Sequence, residues 1–116
     1  MADFLDVPGF RGVYRYWFLD MTAPVNAVAG NYMFIKLTNQ GWVPVYIGIA
    51  DDLSQRLRAH EMSATAVLFG ATHIAAHVQD DLDGRRAEES DLIGRWNPAC
   101  NTQHRTLKTG TAPGGS

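Results

Sequence analysis

Glu89 is the residue of this sequence whose position most needs a chemical explanation. Near the end of the chain a helical pattern places an apolar stripe beside Glu89, three, four and seven residues further on. That stripe consists of Leu92, Ile93 and Trp96. Glu88 and Asp91 share a different face, which is polar and expected to meet solvent. A carboxylate beside a buried stripe needs a partner, which could be an arginine (Arg85 or Arg56), a hydrogen-bond network or a metal ion.

Two tyrosines and a helical arginine–histidine pair are the other candidates for chemistry. Tyr32 and Tyr46 lie in two β-prone segments, where tyrosines are usually cross-strand aromatic partners. Arg56 and His60 are four residues apart and therefore share one face of a predicted helix. A lone helical arginine is typical of a solvated surface, but a guanidinium can also clamp a phosphate, and an imidazole can carry a proton near neutral pH.

The elements that must position these side chains follow the order β-β-α-α-β-α. Residues 31–37 and 42–48 alternate as two strands, and a hairpin centred on Asn39 would place Tyr32 opposite Tyr46. Pro44 favours an edge or bulged strand. This pattern predicts an α+β fold in which a small antiparallel three-stranded sheet is flanked by helices. The remaining elements are expected at residues 53–62, 64–69 and 83–96 for the helices and 72–78 for the third strand.

Three regions are predicted along the chain. Residues 1–29 form an N-terminal extension whose aromatic segment, residues 13–19, would add a strand to the sheet or cover its edge. Residues 30–104 form the main domain, and residues 105–116, which end in TGTAPGGS, are expected to be a flexible tail. His73 and His77 share one face of the predicted third strand, but no third ligand for a zinc site is evident.

Two half-motifs carry a family resemblance. Gly30-Asn31-Tyr32 and Tyr46-Ile47-Gly48 resemble the paired motifs of the GIY-YIG nuclease superfamily. Arg56 stands ten residues past Tyr46, as in that family, and His60 follows one helical turn later. The match continues in order through GATHIAAH at residues 70–77, the helical segment 89–93 and the closing loop 98–101. The resemblance covers residues 30–101.

The resemblance implies a set of catalytic roles. Glu89 would bind a single Mg²⁺ or Mn²⁺, and water and phosphate oxygens would complete its coordination, as suits a cation that keeps most of its waters. Arg56 would clamp the same phosphate and offset developing charge. Tyr32 would take a proton from the attacking water, helped by Tyr46, in cationic surroundings that favour the phenolate. His60 would relay a proton or hold a phosphate.

A second set of residues would contact the substrate. Gly48 would permit a tight turn that brings bare backbone near the phosphate. Arg58, Arg85 and Arg86 would form a basic rim whose DNA contacts weaken with salt. Asn101 would touch the substrate or fix the closing loop.

Composition and charge limit how such an enzyme could hold DNA. The chain has 116 residues, ten Lys plus Arg, twelve Asp plus Glu and a net charge of -2, so any phosphate contact must come from a local cluster. Ile49 stands where many family members carry a lysine. The acidic N-terminus, the single cysteine and the lack of a long apolar run make a cytoplasmic location, away from membranes, the expectation.

The function predicted from the resemblance is a metal-dependent endonuclease that hydrolyses phosphodiester bonds in DNA. One alternative is a weakly active or inactive module of the same fold that binds nucleic acid or a protein. Another is a phosphodiester or phosphoryl hydrolase with a different substrate. Because the chain carries little positive charge, a protein partner or a second copy of the chain is a further expectation, as the source of DNA affinity.

Overall fold

The computed structural model describes residues 4–58 and 63–101, which form one α+β unit. Predicted features outside these ranges are the end of the first helix with His60, and the tail over residues 105–116. No helix within the two ranges is long and apolar enough to span a bilayer. The elements are β1 (Phe4–Pro8), β2 (Val13–Asp20), β3 (Gly30–Thr38), β4 (Gly41–Ala50), α1 (Leu53–Arg58), α2 (Ser63–Leu68), β5 (His73–Val78) and α3 (Leu82–Trp96).

The described residues form a sheet of five antiparallel strands in the order β1-β2-β5-β3-β4. The α+β class is confirmed, but the sheet is larger than the predicted three strands. The aromatic segment 13–19 does add a strand, because β2 pairs with β5 along Trp17–Ala76. A further strand, β1, completes an N-terminal hairpin with β2. Its sequence, FLDVP, is short and ends in proline, so strand periodicity alone did not indicate it.

The pairing of β3 with β4 differs from the predicted register. Tyr32 lies opposite Gly48, and Phe34 lies opposite Tyr46. Two effects cause the shift: the turn is centred between residues 39 and 40, because Thr38 pairs with Gly41, and a bulge follows Phe34. The bulge lies beside Pro44 on the edge strand β4, which confirms the prediction of an edge or bulged strand.

Each face of the sheet packs against its own helices. One face carries Tyr32, Phe34 and Tyr46 and is covered by α1 and α2 through Leu53 and Ala66. The other face packs on α3 through Leu92. Its strand residues are Val7, Tyr16, Met33, Ile35, Ile47 and Ala75. Alternation along β3 therefore sends Tyr32 to the α1 side and Met33 to the α3 side.

The polar face of α3 is buried, contrary to the expectation that it meets solvent. Glu88 and Asp91 are each 3% exposed, and Arg85 is 4% exposed. The reason is the N-terminal hairpin, which extends the sheet beneath this face, so that hydrogen bonds from the hairpin satisfy the two carboxylates. The predicted helix itself is confirmed: Asp81 caps its N-terminus by accepting a hydrogen bond from the Gly84 amide.

Candidate active site

Two tyrosines and an arginine meet on the α1 side of the sheet. The Tyr32 side chain is fully buried, and its hydroxyl lies 3.4 Å from the Arg56 Nε, which donates to it. The Tyr32 and Tyr46 rings are 6.2 Å apart between centroids and tilted by 36°, and the two side chains also share a hydrogen bond. Strands β3 and β4 bring the tyrosines together, and α1 places Arg56 over them.

Gly48 makes room for the Tyr32 ring. It lies inside β4, directly across from Tyr32, so the prediction that it forms a tight turn is wrong. A Cβ atom at this position would lie 2.6 Å from the Tyr32 Cζ, closer than carbon atoms pack. The glycine of the second half-motif is therefore required by the tyrosine of the first.

Burial favours the protonated form of the Tyr32 phenol. Desolvation raises the pKa of Tyr32 strongly, and the hydrogen bond and charge of Arg56 lower it by less. Among the described residues, Arg56 supplies the cationic surroundings expected to favour the phenolate, and burial outweighs its effect on the pKa of Tyr32.

Glu89 lies on α3, which covers the other face of the sheet. Its side chain is half-buried, and burial raises the pKa of its carboxyl group while Arg86 lowers it. Across residues 4–58 and 63–101, no hydrogen bond or salt bridge reaches this carboxylate. The pairing with Arg85 or Arg56 considered for Glu89 is therefore not formed.

The donor chemistry at Glu89 fits a hard divalent cation. A half-buried carboxylate with open lone pairs can supply one oxygen ligand, which suits Mg²⁺ or Mn²⁺. No group of three or more His, Cys, Asp or Glu side chains in the described ranges could enclose a metal, so water and phosphate oxygens would have to complete the coordination of a cation at Glu89.

The three predicted rim arginines do not lie on one surface. Arg58 and Arg86 are exposed. Arg85 is buried, and its guanidinium donates to the carbonyl oxygens of Gln79 and Asp80 at 2.8 and 3.1 Å. It also forms a 3.0 Å salt bridge with the exposed carboxylate of Asp51. Its assignment to a basic rim is wrong, because these contacts fasten the start of α3 to the rest of the fold.

Asn101 is buried against the backbone of β4. Its amide nitrogen donates to the Ile47 carbonyl at 2.9 Å, and its amide oxygen accepts from the Ile47 amide at 2.8 Å. The closing loop thereby fixes the backbone next to Tyr46. Of its two expected roles, this geometry supports the structural one.

A surface depression of about 470 Å³ opens beside Arg56. Ile49 lines it at the position where a lysine occurs in many GIY-YIG proteins, and Asp51 and Asp52 form part of its wall. The lining also includes Ala50 and Gln55. Two carboxylates beside the arginine weaken the attraction of this region for phosphate.

The structure contains a buried polar network under α3 that the sequence patterns did not predict. The Glu88 carboxylate accepts a 2.6 Å hydrogen bond from the Tyr16 hydroxyl and lies 2.8 Å from the His77 Nε2. Burial alone would lower the pKa of His77, but Glu88 and the Arg15 carbonyl outweigh it and raise that pKa. The signal available in the sequence was that Tyr16 and His77 alternate onto one face of adjacent strands.

Two crystal structures are similar to this chain. Both are described as the GIY-YIG N-terminal endonuclease domain of UvrC from Thermotoga maritima, each a tyrosine point mutant bound to the catalytic divalent cation. They are 28% and 27% identical to this chain, and each match covers 64% of this chain and 82% of that chain with a TM-score of 0.51. Comparison with models of known protein families gives no match, and neither does comparison with curated protein sequences. The structural match, with the half-motifs on neighbouring strands, shows that this chain has a GIY-YIG-like nuclease fold.

Proposed function

We propose that this chain is a divalent-metal-dependent endonuclease that hydrolyses phosphodiester bonds in DNA. The observation that carries the proposal is the half-buried Glu89 carboxylate, which has no hydrogen-bond or salt-bridge partner in the described ranges. A structural carboxylate in that position would be paired, because leaving it unpaired costs stability. The similar UvrC domains carry a divalent cation, which supports the same kind of ligand here.

We assign to each residue of the site the role that the family resemblance implies and that its chemistry permits. Glu89 would hold Mg²⁺ or Mn²⁺, and such a cation, when bound, polarises the phosphate and stabilises the leaving oxygen. Arg56 would bind the same phosphate with its guanidinium. Tyr32 would accept a proton from the attacking water, and Tyr46, which is hydrogen-bonded to it, would hold the phenol in position. His60 would relay that proton.

The edge position of β4 supports a shared site, in which groups from the two faces of the sheet would bind one phosphate. β4 is the edge strand of the described sheet, so a nucleic-acid backbone along its outer side would meet no further strand from residues 4–58 or 63–101. Arg56 would reach this edge from the α1 side and Glu89 from the α3 side. Gly48 leaves the centre of the strand without a side chain. In this proposal residues 30–104 form the nuclease domain, to which residues 1–29 add the hairpin.

A second candidate is a module of the same fold that binds nucleic acid or a protein with little or no cleavage. Its support is electrostatic: the net charge is -2, Arg85 is buried, and Asp51 and Asp52 line the depression beside Arg56. If the chain is an enzyme, a protein partner or a second copy would supply the missing DNA affinity. A cytoplasmic location is part of either proposal.

Plasmid nicking tests the proposal directly. The wild-type chain should nick supercoiled DNA with Mg²⁺ or Mn²⁺ but not with a chelator, and Glu89→Ala should abolish nicking. Asp83→Ala is the matched control, because Asp83 is an exposed carboxylate on the same helix. DNA binding without metal-dependent nicking would favour the second candidate. Equal nicking by Glu89→Ala and the wild type would remove the metal assignment.

A further inference from the structure

Three successive turns of α3 are hydrogen-bonded to the N-terminal hairpin. Glu88 accepts from the Tyr16 hydroxyl, Asp91 from the loop and β2, and Trp96 donates from Nε1 to the Pro8 carbonyl at 2.8 Å. Apolar packing through Leu92 would leave the helix free to slide or rotate by small amounts. Directional hydrogen bonds at several turns fix both its rotation and its position along the axis.

Asp91 is held by three separate groups of the hairpin. It accepts hydrogen bonds from the Phe10 amide at 2.7 Å, the Arg11 amide at 3.1 Å and the Tyr14 hydroxyl at 2.7 Å. Gly9 permits this approach, because a Cβ atom there would collide with the Asp91 carboxylate. The loop between β1 and β2 is therefore shaped around a single carboxylate of α3.

Glu88 is held by strands β2 and β5 together. The Tyr16 ring stacks on the His77 ring with centroids 4.5 Å apart and an interplanar angle of 4°, so both reach the same carboxylate. The His77 Nδ1 bonds the Arg15 carbonyl at 3.0 Å, which ties this contact back to β2. All of these groups lie beneath α3, away from the Tyr32 side of the sheet.

We propose that the N-terminal hairpin, residues 4–20, positions the metal-binding carboxylate, with Tyr16 and Tyr14 as positioning residues. The two anchored acids, Glu88 and Asp91, flank Glu89, which has no hydrogen bond of its own among the described residues. The place of Glu89 is thus set by its neighbours on the helix. The hairpin lies at the opposite edge of the sheet from β4, so it acts on the site through α3. This inference rests on the proposed metal role of Glu89.

Mn²⁺ binding to the full chain without DNA tests the inference. The Mn²⁺ dissociation constant is measured by electron paramagnetic resonance for the wild type and for the double variant Tyr14→Phe, Tyr16→Phe, at a temperature where both are folded. We expect about tenfold weaker binding in the double variant, near the lower limit for removing groups that orient a ligand. Arg15→Gln is the matched control: Arg15 is on the same strand, is exposed and pairs with Asp6, so its affinity should equal that of the wild type.

Hydrogen exchange of the metal-free chain gives a second readout. Faster exchange in the double variant should be confined to α3 around residues 88–93, whereas general destabilisation would raise exchange across the sheet as well. Unchanged Mn²⁺ affinity in a folded double variant overturns the positioning role, even if its melting temperature falls.

Glu89→Gln separates this inference from the proposed function. If Glu89→Gln loses Mn²⁺ binding and the double variant does not, only the positioning role fails. If Glu89→Gln binds Mn²⁺ like the wild type, the metal role of Glu89 fails, and the inference fails with it. Weaker binding in both the double variant and Glu89→Gln, with wild-type binding in Arg15→Gln, supports the inference.

Discussion

Two adjacent glutamates on α3 should respond oppositely to the same substitution. Glu88 is 3% exposed and bound by Tyr16 and His77, whereas Glu89 is half-buried and has no such partner in the described ranges. In the metal-free protein, Glu89→Gln should stabilise the fold, and Glu88→Gln should destabilise it. The comparison is sharp because the two changes are identical in chemistry and one residue apart.

The size of each effect follows from burial. A fully buried polar group without a partner costs about 1–3 kcal/mol, and half-burial reduces the expected gain for Glu89→Gln to about 0.5 kcal/mol. That corresponds to a rise in melting temperature of roughly 2–4 °C. Glu88→Gln weakens two charge-assisted contacts in a buried setting and should cost about 1–3 kcal/mol, or at least about 4 °C.

The direction of the Glu89 pKa shift determines how the stability effect of Glu89→Gln changes with pH. Because burial raises the pKa of Glu89 in the folded state, its ionisation costs stability. The cost is absent below the unfolded-state pKa of about 4.3 and complete above the folded-state pKa. The advantage of Glu89→Gln should therefore appear at pH 7 and shrink towards zero at pH 4.

Thermal unfolding with a chelator and plasmid nicking with Mg²⁺ together check this reasoning. Glu89→Gln should melt higher and fail to nick. A lower melting temperature together with full Mg²⁺-dependent nicking would show that Glu89 is a structural residue with a partner. If the melting temperature shifts in the same direction for Glu88→Gln and Glu89→Gln, the distinction between a paired and an unpaired carboxylate is refuted.

Three further predictions concern packing, charge and pH. Gly48→Ala should force the Tyr32 ring to move, which costs about 1–3 kcal/mol and should greatly reduce nicking; unfolding and nicking assays measure both. Arg85→Gln should lower the melting temperature but leave the salt dependence of DNA binding unchanged, because Arg85 is buried; a steeper or shallower salt slope would contradict this. Since the pKa of His77 is raised by its contact with Glu88, the stability from that contact is complete below pH about 6.5 and is lost as pH rises through the raised pKa. His77→Gln should remove this pH-dependent loss of stability, which unfolding curves recorded at a series of pH values would measure.

Local sequence patterns predicted most of the fold. Strand alternation in residues 31–37, the proline on the edge strand and the capped final helix were readable because each depends on neighbouring residues. The register of Tyr32 was not readable: it depends on where a bulge relieves the conflict between Pro44 and strand pairing, and a bulge shifts every later pair by one residue.

Burial of the polar helix face could not be read from α3 alone. On a helical wheel, Glu88 and Asp91 look solvent-exposed, because the surface that covers them comes from a hairpin some 70 residues earlier in the chain. Arg85 was misplaced for a different reason: its partners, the carbonyls of residues 79 and 80, are nearby backbone groups that a side-chain pattern does not show. The structure does bring the side chains of Tyr32, Tyr46 and Arg56 together, although the predicted pairing of Tyr32 with Tyr46 across the hairpin was wrong.

Burial acts on both ionisable groups that the proposed chemistry needs in charged form. It raises the pKa of Tyr32 and of Glu89, so each is harder to ionise in the metal-free protein than in water. Arg56 is the cation that lowers the pKa of Tyr32, and its single charge is not enough to offset burial. With a net charge of -2, the chain as a whole adds no positive field. In the proposed mechanism, proton acceptance by Tyr32 would therefore depend on a cation bound from solution, and Glu89 would be the carboxylate that holds it. We accordingly expect no nicking by the metal-free protein, and a plasmid assay with a chelator measures this.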